Sequence, residues 1–149
     1  MLISQISIYL ENKKETLHAL TTTLAENDID ILALSIADTL DFGIVRIIVR
    51  ESDIEKCVAA ARNDGYIAKL NHIFCISVKN ESGGLNKALS VIKDNNLSVE
   101  YLYSLNYIIG NNALIAMRLK GENLTNEQIE KILTDNGITP VNQEEINRL

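Results

Sequence analysis

The residues best suited to chemistry are Ser82, Gly83 and Gly84. They stand directly before an apolar stripe of helical spacing, Leu85, Ala88, Leu89 and Ile92. A glycine-containing turn that feeds a helix leaves backbone N–H groups unpaired and pointing outward, an arrangement that receives a carboxylate or a phosphate. Glycine also lets an anion approach the backbone closely. The same residues suit a plain tight turn from strand to helix, and a lone Gly-rich turn does not decide between the two. Other reactive residue types are scattered. His18 lies one residue past Leu17 on an expected helix, facing solvent, and His72 precedes an expected strand, with no nucleophile placed beside either. Arg46 and Arg118 fall in expected strands, and Asp38 falls at a hairpin, where it is a turn former before it is a general base. Cys57 and Cys75 form no C-x-x-C pair and no metal-like cluster with the histidines. No catalytic residue, metal ligand or cofactor is expected, and the chain is not read as an enzyme.

These residues are positioned by a pattern that occurs twice. Asn12 to Leu34 matches Asn80 to Leu102 at a fixed offset, with Asn12 over Asn80, Leu17 over Leu85, Leu24 over Ile92, Asn27 over Asn95 and Leu34 over Leu102. Upstream, Ile6, Ile8 and Leu10 lie over Phe74, Ile76 and Val78; downstream, Asn63-Asp64-Gly65 resembles Asp135-Asn136-Gly137. A repeat of this length is one supersecondary unit used twice.

In the first copy, Ile3 to Leu10 alternates as a half-buried strand. Thr16 to Asn27 reads as a helix with Leu17, Leu20 and Leu24 inward. Ile31 to Asp38 and Phe42 to Arg50 read as a strand hairpin. A helix capped at Ser52-Asp53 runs through Asn63 with Gly65 at C′, and Tyr66 to Leu70 closes the unit. The second copy repeats the order: strand Ile73 to Lys79, helix from Gly84, strands Leu97 to Tyr107 and Ala113 to Lys120, a helix capped by Thr125, and Ile138 to Val141. Glu144 to Leu149 is expected to fray. The fold class is α+β: two ferredoxin-like βαββαβ repeats, each an antiparallel four-stranded sheet with its helices on one face. The division falls near Asn71-His72, giving domains 1–71 and 72–149. The opposite sheet faces, lined by Ala33, Tyr101 and Tyr103, call for the other repeat or another chain, and a homodimer is expected.

The 149 residues are 46% hydrophobic with a formal net charge of −6, which is globular and too acidic for nucleic acid or an anionic membrane surface as the main partner. No apolar run reaches the ~18 residues of a membrane span. The N-terminus alternates like a strand and has no basic n-region, so it is not read as a signal peptide. With two cysteines, both expected reduced, the expected compartment is the cytoplasm.

The stretches Ile8 to Asn12, Asp30 to Thr39, Asp41 to Arg46, Asn80 to Leu85 and Leu97 to Tyr103 resemble tandem ACT domain proteins, and the resemblance covers nearly the whole chain. ACT domains are βαββαβ regulatory modules that usually bind amino acids at interfaces between paired domains. The family carries an Asn-Lys-Pro-Gly-x-Leu-like turn after the first strand. Here the second copy keeps Gly83 and Leu85 with Ser82 at the Pro position; in the first, Lys14 and Glu15 replace Pro and Gly. The resemblance implies an amino-acid-binding regulatory protein, with the ligand at the strand-to-helix loops and the inter-repeat interface. Its site would comprise Asn80, Glu81, Ser82, Gly83, Gly84 and Leu85, with Asn12, Ala37, Asp38 and Thr39. The carboxylate would meet the N–H groups around Ser82 to Gly84, and Asn12, Asn80 or Asp38 would receive the ammonium. The tighter site is expected at Asn80 to Leu85. The implied partners are a free amino acid and an enzyme of amino acid metabolism. The alternative is a ligand-free interaction module that assembles with such an enzyme.

Overall fold

Alternating apolar residues build the strands onto which each helix pair packs. A computed structural model describes residues 1–11, 15–38 and 42–149. By its contacts the chain divides into two units, Ser4–His72 and Ile73–Leu149 with Met1–Ile3. The first unit contains β1 (Ile3–Glu11), α1 (Thr16–Glu26), β2 (Ala33–Asp38), β3 (Phe42–Ile48), α2 (Glu51–Asn63) and the first part of β4 (Ile67–Lys79). The strand order is β2-β3-β1-β4, with Ile8 opposite Val45 and Ile36 opposite Val45 in antiparallel register. Ile6, Ile8 and Leu10 of β1 share one face with Val45 and Ile47. They form a core with Leu20 and Leu24 of α1 and Cys57 and Ala61 of α2, so both helices lie on one side of the sheet.

Local chemistry accounts for most of the boundaries. The hydroxyls of Thr21, Thr22 and Thr23 donate to carbonyls one turn back, so these weak helix formers are held by their own helix as well as by its buried face. Gly65 and Tyr66 donate to Arg62 and Ala61 and close α2 with a Schellman turn. Two expectations are corrected. α2 starts at Glu51 after Arg50, with no side-chain cap; Glu51 and Asp53 in its first turn suit the helix dipole instead, so Ser52 lies inside the helix. Leu17 shares the face of Leu20 and Leu24 but sits in the first turn of α1, where burial falls off, and it is 36% exposed.

The second unit takes β4 from Ile73, then α3 (Gly84–Asp94), β5 (Leu97–Ile109), β6 (Asn112–Gly121), α4 (Asn126–Asp135), β7 (Thr139–Pro140) and α5 (Gln143–Asn147). Its order, β5-β6-β4 with β7 on the other side of β4, repeats that of the first unit. Phe74, Ile76 and Val78, with Ile115, Met117 and Leu119, meet Ala88 and Ile92 of α3 and Ile129 and Leu133 of α4. Thr125 and Gln128 form a reciprocal capping box at the start of α4.

Three further corrections concern this unit, its approach and the sheet faces. β4 is a single 13-residue strand, not two strands separated at Asn71-His72. Neither residue breaks a strand, and Asn71 accepts a hydrogen bond from the Ser7 hydroxyl at 2.9 Å. Ala33 and Tyr103, expected on sheet faces that need the other repeat or another chain as cover, are buried within the chain itself, so they need no second chain. The C-terminal segment does not fray: Asn142 and Glu145 cap each other's backbone at 2.9 Å, and Ile146 is fully buried. Ile146→Ala should therefore lower stability by ~2–5 kcal/mol, whereas Arg148→Ala at an exposed site should change it by less than ~0.5 kcal/mol. Urea unfolding monitored by circular dichroism checks both, and equal, negligible effects would mean that the tail is not docked.

Candidate functional site

The end of β4 and the start of α3 are brought into contact by two glycines with different duties. Gly83 has φ +82°, and a Cβ added there would meet nothing within 4 Å. Gly84 is buried, and a Cβ there would lie 2.0 Å from the Lys79 carbonyl oxygen. Only glycine lets the helix begin so close to the strand it follows.

The loop is tied down by its own backbone. Asn80 N–H donates to Asn111 O at 2.9 Å, linking the loop to the β5–β6 turn. Glu81 N–H donates to Lys79 O at 2.9 Å, Gly84 N–H to Glu81 O at 3.0 Å, and Lys87 N–H to Gly83 O at 3.0 Å. The Gly84 N–H, expected to meet a ligand, is thus already engaged. The N–H groups of Ser82, Gly83, Leu85 and Asn86 have no acceptor among the described residues. α3 has no side-chain cap and no acidic residue in its first turn, so the positive end of its dipole is uncompensated there. Glu81 does not fill that role. Lys87 holds it at 2.9 Å, and the hydrogen bond and charge of Lys87, with the charge of Lys79, keep its carboxyl below the usual range. What remains is a short arc of donors with a positive local potential, suited to a small carboxylate or phosphate.

Beside this arc lies a cleft of about 320 Å³. The end of β4 (Ser77 to Lys79), one side of α3 (Gly84, Lys87, Ala88, Val91) and the turn Asn136 to Ile138 form its walls. Sequence reading missed the cleft's cations and its far wall. Lys87 reaches Glu81 across a loop rather than along a helix turn, and the Gly137 turn reads only as a helix end.

The first unit has the same turn with other residues. Glu15 occupies the place of Gly83 in the left-handed region, φ 70°, and its carbonyl accepts from Ala19 N–H at 2.9 Å as Gly83 accepts from Lys87. Thr16 takes the place of Gly84. Of the other expected site residues, Ala37 and Asp38 end β2 in that unit. Asn12 and Thr39 lie outside the described residues.

The remaining reactive groups are placed as structural ones. His18 and His72 are exposed. Arg118 pairs with Glu100 at 3.2 Å, and Lys120 pairs with the same carboxylate. Both cysteines are free and buried. Burial, with the charge of Asp53, pushes the Cys57 thiol up to about 11. Burial, with the charge of Glu145 and against a backbone hydrogen bond from Ile115, pushes Cys75 up to about 12. Neither is a nucleophile at neutral pH. Among the described residues no group of three His, Cys, Asp or Glu could hold a metal ion.

Residues 1–149 match the family described as the ACT domain pair. The chain belongs to the ACT domain pair family. Among solved structures, this ACT pair is similar to protein BT0572 from Bacteroides thetaiotaomicron. The two share 30% identity over 100% of this chain and 98% of that one, with a TM-score of 0.83. It shares its fold with the regulatory subunit of aspartate kinase from Thermus thermophilus in the ligand-free form, at 11% identity over 91% and 94% of the two chains and a TM-score of 0.62. The regulatory subunit from Thermus flavus is similar at 10% identity over 91% and 94%, with a TM-score of 0.57. No curated protein matches the chain. The ACT family is one of regulatory domains.

The two glycines of this ACT loop should respond differently to substitution. Gly83→Ala meets open space and carries only the left-handed backbone penalty, ~1–2 kcal/mol. Gly84→Ala drives a methyl into the Lys79 carbonyl and should lower stability by more than ~3 kcal/mol or prevent folding. Equal effects in chemical denaturation would show that the close approach at Lys79 is not what requires glycine.

Proposed function

We propose that this ACT pair is a non-catalytic regulatory protein that binds a free amino acid at the loop Asn80 to Leu85. The observation that carries the reading is the set of N–H groups on Ser82, Gly83, Leu85 and Asn86 that have no acceptor among the described residues, at the uncapped start of α3. The amino acid's carboxylate takes these donors, and the Asn80 side chain in the same loop is a candidate acceptor for its ammonium. Glu15 in place of Gly83 puts a carboxylate beside the corresponding helix start, so the first-unit turn is the weaker site.

We further propose that residues 1–71 and 72–149 form the two ACT domains, that the protein is a homodimer, and that it acts on an enzyme of amino acid metabolism in the cytoplasm. Exposed Ile36 on β2 and Ile108 on β5 support pairing between copies along outer strands. The unpaired cysteines support a reducing compartment. The partner class rests on the fold shared with the aspartate kinase regulatory subunit from Thermus thermophilus. An amino acid that binds one state of such an assembly better than another shifts the balance between them by that difference in affinity.

A thermal-shift screen of the common amino acids tests the binding directly, since a ligand that binds only the folded state raises its stability by ~2.7 kcal/mol at a hundred times its Kd. One or a few amino acids should raise the melting temperature of the parent protein, and Gly83→Val should abolish the shift. A flat screen at saturating concentrations, or a Gly83→Val variant that binds as well as the parent, would overturn the assignment.

A further inference from the structure

The cleft beside the loop has an apolar floor and a cationic rim. Val78, Ala88 and Ile138 are almost fully buried beneath it, and Val91 is half-buried at its side. Lys79 and Lys87 stand at its edge. Of these two, Lys87 is partly neutralised by Glu81. Gly84 belongs both to this lining and to the loop, so the cleft and the donor arc share a wall.

The repeat builds a cleft at the corresponding place in the first unit, about 340 Å³, between the end of β1, Thr16 and the turn Asp64 to Tyr66. Its character is different. Glu11 stands where the second cleft has Lys79, Asp64 where it has the neutral Asn136, Tyr9 where it has Ser77 and Tyr66 where it has Ile138. The fold supplies the cavity, and the residues set its chemistry. Of the two, the cleft of the second unit combines a rim that attracts a carboxylate with an aliphatic floor.

We propose that this cleft holds the side chain of the ligand and restricts it to small amino acids with aliphatic side chains. This rests on the reading that the adjoining loop holds the ligand's carboxylate. With that carboxylate on the donors of Ser82 to Asn86, the side chain extends past Gly84 over Val78, Ala88 and Ile138. Contact with these surfaces rewards each added methylene, while a polar side chain would give up its hydration over the floor, the uncharged polar lining residues Ser77 and Asn136 standing in the walls. A lysine side chain would also meet Lys79 and Lys87.

Isothermal titration calorimetry of the full chain with glycine, alanine, valine, leucine, aspartate and lysine tests this. Valine or leucine should bind at least ~10-fold more tightly than glycine, in line with what added methylenes bring in an apolar pocket. Aspartate and lysine should bind more weakly than valine. Val91→Phe, which fills the cleft from its side, should weaken leucine binding by ~10-fold or more and leave glycine within ~3-fold. If glycine binds as tightly as leucine, or aspartate or lysine binds most tightly, the cleft assignment is overturned while the loop reading stands. If none of the six binds, both fall. Should Val91→Phe fail to fold, the ligand series on the parent chain decides alone.

Discussion

The approach of Gly84 to the Lys79 carbonyl is the constraint on which the site depends. A side chain at residue 84 would collide with backbone, which cannot move aside as a flexible side chain can. Because the helix starts so soon after the strand, its first-turn N–H groups emerge beside the strand end. Gly83 supplies the left-handed step that turns the chain into the helix. The Gly84 N–H is taken up within the turn, which fixes the loop and leaves the neighbouring donors facing outward. Loop rigidity and donor availability thus have one origin.

Electrostatics then decide what the donors can meet. Many helices place Asp or Glu in the first turn, where the carboxylate compensates the dipole. α2 does so with Glu51 and Asp53; α3 does not. The carboxylate of the loop itself, Glu81, is drawn to Lys87. The two repeats differ on the same point, for Glu15 stands at the turn of the first unit where Gly83 stands in the second. A duplicated fold has kept its backbone geometry while the charge at corresponding places has changed, with Glu15 for the neutral Gly83 at the turns and Glu11 for Lys79 in the clefts beside them.

The sequence made the repeating architecture legible because its periodicities are clean. Ile6, Ile8 and Leu10 share a face at period two, Ile129 and Leu133 share one at helical spacing, and Thr125 and Gly137 bracket α4. What remained illegible depends on contacts between segments. Nothing local distinguishes the role of Gly83 from that of Gly84, since the Lys79 carbonyl that demands glycine is placed by the packing of α3 on β4. Continuity of β4 through Asn71 is supported by a hydrogen bond to Ser7 in another strand. The α5 helix carried its signal in Asn142 and Glu145, but so short a helix owes its order to the burial of Ile146. The Lys87–Glu81 pair spans a loop and follows no helical spacing rule.

The central claim is that the donors at the start of α3 receive the carboxylate of a free amino acid. Amide-resolved nuclear magnetic resonance during a titration with the amino acid that most raises the melting temperature tests it most directly. The account predicts that the largest shifts fall on the N–H groups of Ser82, Gly83, Leu85 and Asn86, with the engaged Gly84 N–H moving less. Saturable shifts confined to other parts of the chain, with these four amides unmoved, would contradict it.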